Sequence, residues 1–156
     1  MPMPTLYLSI GTNLGDRQSN LDTALTLIGQ DIGTVKAVSK VIETEPWGYE
    51  SDNRFLNMVM KVETMLTPQQ ALSATRSIER TMGRKEKSSN GKYKDRIIDI
   101  DLLMYDDLIT DSPELTLPHK LMHKRRFVLE PLAQIAPGLE HPVLHKTIKE
   151  LLEELG

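Results

Sequence analysis

The order in which the hydrophobic period changes along the chain constrains its fold most. Over residues 5–10, "TLYLSI", Leu6, Leu8 and Ile10 take alternate positions, the mark of a half-buried strand. "GTNLGD" then turns the chain. Over residues 17–29, Leu21, Ala24, Leu25 and Ile28 recur at helical spacing, with Gly29 and Gly33 as stop signals. Residues 34–44, rich in Val, Ile and Thr, read as a second strand, and Pro46 and Gly48 break "EPWGYESDN" into a loop. From Phe55 to Glu63 the alternation returns. Leu56, Met58, Met60 and Val62 face one way; Phe55, Asn57, Val59, Lys61 and Glu63 face the other. Thr67-Pro68-Gln69-Gln70 opens a helix with threonine at the N-cap, proline at N1 and glutamine at N3. Ala71, Leu72, Thr75, Ile78 and Met82 then point inward, and Gly83 ends it. A final strand brings the order to β-α-β-β-α-β by residue 104, the split βαβ pattern. Its expected form is α+β: an antiparallel sheet with helices on one face, the other face free for a ligand. Past residue 118, "PHKLMHKRRFVLEPLAQIAP" reads as a loop. A C-terminal helix follows, built on Leu144, Ile148, Leu151, Leu152 and Leu155. There is no repeat, low-complexity tract or linker, so one domain over residues 1–156 is expected.

Composition narrows what such a fold can do. A chain of 156 residues, 39% hydrophobic and 26% charged, suits a soluble domain with a real core. No apolar run is long enough to cross a bilayer. "MPMPTLYLSI" has no basic stretch before its apolar residues, so no signal peptide is expected and a cytoplasmic location is. Cysteine is absent, which excludes disulfides, a thiol nucleophile and Cys-based zinc. The net charge of −3 argues against non-specific nucleic-acid binding by the whole molecule. Basic residues are nonetheless concentrated. Arg84, Lys85, Lys87, Lys92, Lys94 and Arg96 face only Glu86 and Asp95 in one stretch, and "HKLMHKRRF" over 119–127 forms a second. Two basic patches on an acidic protein suggest a local anionic ligand. It is not held by a P-loop: Gly91-Lys92 is followed by tyrosine and lacks the upstream glycine.

The strand "RIIDIDLLMYDD" carries the strongest chemical signal. Asp99 and Asp101 lie two residues apart among Ile97, Ile98, Ile100, Leu102, Leu103 and Met104, so they share one face with their Cβ atoms about 7 Å apart. They are either solvated acids on an uncovered face or ligands for a hard cation. Unpaired charge in an apolar strand is costly, and Mg²⁺ commonly binds one or two carboxylates plus substrate phosphates. Arg84 and Arg96 bracket the basic loop, and guanidinium forks match phosphate oxygens bidentately. Gly11 to Gly15 reads equally as a plain tight turn. His119 is either structural or the start of the second basic cluster with Arg125. Aromatic residues are only 4% of the chain, and Phe55 shares a face with Asn57. That pairing offers stacking and edge recognition to a flat heterocycle, or else packs beneath the Trp47 loop.

Five segments together carry a resemblance: "LYLSIGTNLGDR", "ETEPWGYESDNRFLNMVMKVET", "IERTMGR", "DRIIDIDLLMYDD" and "LTLPHKLMHKRRFVLEPLAQIAP". The chain resembles the 6-hydroxymethyl-7,8-dihydropterin pyrophosphokinase family of folate biosynthesis over nearly its whole length. The resemblance implies a ferredoxin-like βαββαβ core with a C-terminal helical extension. It also implies transfer of pyrophosphate from ATP to the pterin hydroxymethyl oxygen, releasing AMP. Position by position, it makes Asp99 and Asp101 the acids that hold two Mg²⁺ ions. Arg84 and Arg96 become catalytic arginines, and His119 and Arg125 phosphate-binding residues. Thr116 and Leu102 fall where the nucleotide is held, with Glu79 an acidic position near the site. Phe55 and Phe127 match the pair that sandwiches the pterin; Thr44, Asn57, Pro46, Trp47 and Gly48 match the groups along its edge. Lys92-Tyr93-Lys94-Asp95-Arg96 stands where many members carry R-W-G-P-R. The expected partners are these two small molecules, with no nucleic acid or membrane and a monomeric chain. Two other readings use the same pattern: an RNA-binding module on a similar sheet, and a Mg²⁺-dependent nucleotidyltransferase or nuclease. Acids on the sheet face argue against the first, and Phe55, Asn57 and Phe127 have no purpose in the second.

Overall fold

A computed structural model describes residues 3–45, 53–83 and 97–156. Strand β1 spans Thr5–Thr12 and helix α1 Arg17–Asp31. Asp16 caps α1, its carboxylate accepting the Ser19 N–H at 3.1 Å. The helix runs through Gly29 rather than ending there. The expected strand over 34–44 is two strands laid end to end, β2 (Gly33–Val38) and β3 (Ile42–Thr44), both pairing with β4 (Phe55–Thr64). The break has a local cause. The Ser39 N–H donates to the Val59 carbonyl at 2.9 Å, and its hydroxyl, in place of a ladder carbonyl, accepts the Val59 N–H at 3.0 Å. Gly33 starts β2 because nothing larger fits: a Cβ there would lie 2.1 Å from the Glu63 carbonyl oxygen.

Helix α2, Pro68–Thr81, begins with the predicted reciprocal cap. Thr67 Oγ1 accepts the Gln70 N–H, and Gln70 Oε1 accepts the Thr67 N–H. Strand β5, Asp99–Tyr105, completes a sheet of order β2-β4-β1-β5, antiparallel at every pairing, as the split βαβ order requires. A hairpin of β6 (Thr110–Asp111) and β7 (Thr116–Leu117) follows.

The segment after residue 118 corrects the sequence reading. Instead of a loop it forms a short 3₁₀ turn, Met122–Lys124, and helix α3, Arg126–Ile135. Pro131 lies inside α3, where its missing N–H and ring normally argue against a helix. Helix α4 spans Ile148–Leu155, so Leu144 lies outside it and is partly exposed.

Two cores share the sheet. Leu6, Leu8 and Ile10 of β1, Met58, Met60 and Val62 of β4, and Ile98, Ile100 and Leu102 pack against α1 and α2. On the opposite face Tyr7, Val59, Leu103 and Met104 pack against Val128, Leu129, Leu132, Ile148 and Leu151. Leu103 and Met104 are successive residues on one face because β5 carries a bulge, Leu8 pairing with Leu102 but Tyr7 with Met104. Full burial of such aliphatic side chains is worth roughly 1.5–3 kcal/mol each. The end of the sheet that carries Gly11 and Asp99 lies beyond this second cluster.

Candidate active site

The strand register builds the site. Asp99 stands opposite Gly11 and Asp101 opposite Ser9. Across β1, Gly11 faces Asn57 and Ser9 faces Val59. Two rows thus cross the face that carries the aspartates: Asn57–Gly11–Asp99 and Val59–Ser9–Asp101. Neighbouring strands lie about 4.8 Å apart, so the Asn57 and Asp99 backbones are separated by about 10 Å with only a glycine between them. A Cβ on Gly11 would sit 2.9 Å from Asn57 Oδ1 and 3.5 Å from the Phe55 ring. Gly11 is buried, and its missing side chain lets the Asn57 amide and the Phe55 ring close over the strand beside Asp99. Sequence reading took it for part of a turn; its period-two position on the Asp99 face was the signal available.

Each wall is held by neighbours. Asn57 is 4% exposed, and its Nδ2 donates to Thr44 Oγ1 at 2.7 Å, which turns Oδ1 toward Gly11. Thr44 is itself the ladder partner of Phe55. On the opposite wall, β5 is the last strand in the sheet order, and the buried Glu79 carboxylate of α2 accepts the Ile100 N–H at 2.9 Å. This bond fixes the peptide that lies between the two aspartates. The His119 N–H donates to the Leu103 carbonyl at 2.8 Å, which fastens the post-β7 segment to the same strand.

His119 Nδ1 accepts the Leu121 N–H at 3.1 Å, which puts the neutral ring's proton on Nε2. Burial first, and then the neighbouring Arg125 charge, push its pKa down to about 4 against the opposing pull of Asp99. The ring is a neutral donor at pH 7. Arg125 is 8% exposed and lies over the Phe127 ring at 5.4 Å, a cation–π pair at the start of α3.

Glu79, Asp101, Leu102, Thr116 and His119, five of the residues expected from sequence, line one cavity of about 190 Å³. The cavity also includes Arg76, which sequence reading missed. It lies one helical turn before Glu79, and its Nε is buried without a hydrogen-bond partner among the described residues. That i, i+3 spacing was the available signal. Thr44, Phe55 and Asn57 form a second group at the far side of Gly11, and Phe127 stands on α3 beside Arg125. Arg84, Arg96, Pro46, Trp47 and Gly48 lie outside the described residues.

A family model described as 7,8-dihydro-6-hydroxymethylpterin-pyrophosphokinase matches residues 7–137. The chain belongs to this family. It is 48% identical to the 2-amino-4-hydroxy-6-hydroxymethyldihydropteridine pyrophosphokinase of Porphyromonas gingivalis over 90% of its own length and 95% of that protein's. The enzyme of the same name from Aquifex aeolicus is 38% identical over 97% of this chain and 92% of its own. A solved Plasmodium falciparum HPPK-DHPS with pteroate superposes with a TM-score of 0.80 at 18% identity. It covers 97% of this chain, whereas this chain spans 44% of it, and the likeness establishes the fold. The reaction is ATP-dependent pyrophosphoryl transfer to 6-hydroxymethyl-7,8-dihydropterin in folate biosynthesis. Enzymes of this family use Mg²⁺ and ATP. No helix among the described residues is long and apolar enough to cross a membrane.

Proposed function

We propose that the two residue groups on either side of Gly11 divide the two substrates between them. The reduced pterin lies on the Asn57 side and the triphosphate on the Asp99 side. The row Asn57–Gly11–Asp99 carries this reading, because it sets a heterocycle-reading amide and a cation-binding acid on one face with only a glycine between them. Asn57 Oδ1 accepts from the donor edge of the ring while Thr44 fixes the amide's orientation. Phe55 stacks on one pterin face and Phe127 on the other. Pro46, Trp47 and Gly48 complete the edge contacts.

The donor set fits Mg²⁺. Asp99 and Asp101 offer hard carboxylate oxygens, and among the described residues no group of three or more His, Asp or Glu forms a closed metal cage. A cation held there completes its shell with phosphate oxygens. Asp99 and Asp101 would hold two Mg²⁺ ions, which when bound neutralise phosphate charge and lower the pKa of the hydroxymethyl group. Glu79 keeps the peptide between the two acids in place. His119 donates through Nε2 to a phosphate oxygen, and Arg125, Arg84 and Arg96 add guanidinium contacts. Leu102 and Thr116 line the nucleoside end.

The hydroxymethyl oxygen then attacks the β-phosphorus. A new O–P bond forms, the bond from the β-phosphorus to the α,β-bridging oxygen breaks, AMP leaves with that oxygen, and the hydroxyl proton is released. Such transfer needs alignment and charge stabilisation more than covalent help from the protein. The chain acts as one cytoplasmic domain, residues 1–156, and as a monomer. Asp101→Ala is expected to lower kcat by more than the 10²–10³-fold typical of losing one preorganised donor. Near-normal turnover of this variant in Mg²⁺ would overturn the assignment of the acids.

A further inference from the structure

The segment Asn13–Arg17, between β1 and α1, has no part in the reaction as described, yet its side chains reach across to β3 and the start of β4. Asn13 is 3% exposed, and its Nδ2 donates to the Asn53 carbonyl at 3.1 Å. Arg17 Nη1 donates to Glu43 Oε2 at 2.8 Å and to the Arg54 carbonyl at 3.0 Å. Arg54 in turn pairs with Glu45 at 2.9 Å and approaches Glu43 at 3.9 Å. The turn is itself braced from within, since Asn20 Nδ2 donates to Thr12 Oγ1 and to the Leu14 carbonyl.

These bonds end at informative places. Glu43 is the residue before Thr44, and Arg54 the residue before Phe55, and Thr44 and Phe55 are ladder partners at the end of the β3–β4 pairing. Strand β3 has only three residues, and a pairing that short does not define its own geometry well. Arg17 grips one strand by a carboxylate and the other by a carbonyl, so it sets the spacing between them.

We propose that Arg17 is a positioning residue for the pterin side of the site. Assisted by Asn13, it holds the β3–β4 mouth so that Phe55, Thr44 and Asn57 are preorganised for the ring. This inference rests on the assignment of Phe55 and Asn57 to the pterin. The alternative is an ordinary exposed ion-pair network, since Arg17 and Glu43 are 34% and 44% exposed. Such pairs contribute little to stability. The two roles differ in what they would change. A surface network affects neither substrate, whereas loss of a positioning residue weakens one substrate alone.

The test is steady-state kinetics on full-length Arg17→Gln and Arg17→Lys, with Phe55→Ala beside them. Arg17→Gln is expected to raise KM for the pterin about 5–10-fold, with KM for ATP and kcat within 2-fold of the parent and an almost unchanged Tm. Arg17→Lys, which keeps the charge but ends in a strongly hydrated ammonium on a shorter side chain, is expected to restore only part of the loss. Combining Arg17→Gln with Glu43→Gln should add little to the pterin KM, as expected for two halves of one contact. An unchanged pterin KM in Arg17→Gln beside a raised one in Phe55→Ala would overturn the inference and leave the pterin assignment standing. An unchanged pterin KM in Phe55→Ala would overturn both. Equal losses for ATP and pterin would assign Arg17 to general structure.

Discussion

Gly11 shows how much depends on one missing side chain. On the site face it separates Asn57 from Asp99, and any Cβ would meet the Asn57 amide at 2.9 Å. That amide is pinned by Thr44, so it cannot give way without losing its 2.7 Å hydrogen bond. Gly11→Ala is therefore expected to raise KM for the pterin by an order of magnitude or more while the protein stays folded. Titration calorimetry with the pterin checks it, and unchanged affinity would show that the ring does not lie beside Gly11. At this scale the sequence was legible where a residue type has few uses. Two carboxylates among aliphatics, and a phenylalanine sharing a face with asparagine, are what point to the candidate site. Gly11 and Arg76 escaped notice because glycine and arginine have many ordinary roles, and only strand register or burial distinguishes this one.

Elements with a single clear period were read correctly: β1, α1, β4, α2 and β5 all stand near their predicted places. The misreadings have particular causes. Ser39 breaks a strand by supplying its hydroxyl to the ladder, which composition does not reveal. Pro131 hides α3, although Val128, Leu129 and Leu132 keep the spacing of a buried helical face. Helix α4 depends on the turn before it, which His141 organises. Its Nδ1 accepts the Val143 and Leu144 N–H groups at 3.2 and 3.1 Å, and the residue is 4% exposed. Burial, and then the charges that His123 and His145 can carry, lower its pKa. A histidine lowered in the folded state takes up its proton first in the unfolded chain. Stability is then complete above about pH 6.5 and falls as pH drops below it. His119 is lowered as well and contributes in the same direction. Urea midpoints of the substrate-free protein should fall between pH 7 and pH 5. His141→Asn, whose Oδ1 can still accept both amides, should lose less over that range. An identical slope in this variant would mean that the turn does not sense pH.

For the whole molecule, the βαββαβ order was enough to give an antiparallel sheet and one helical layer. It was not enough to show that the C-terminal segment covers much of the second face. That cover makes the site. Helices α3 and α4 bury Tyr7, Val59, Leu103 and Met104, and the end of the sheet that carries Gly11, Asn57 and the aspartates lies beyond that cluster. The same segment brings His119 within the influence of both Asp99 and Arg125, and packs Phe127 against the cluster on that face. Pairwise register, which no single strand's pattern contains, decides which residues meet across β1. The two residue groups flanking Gly11 are expected to hold both substrates together for attack at the β-phosphorus. Product analysis after mixing the protein with ATP, Mg²⁺ and 6-hydroxymethyl-7,8-dihydropterin tests it most directly. The expected result is AMP formed one-to-one with the pterin pyrophosphate, and only when the pterin is present; ADP as the product, or ATP cleavage independent of the pterin, would contradict it.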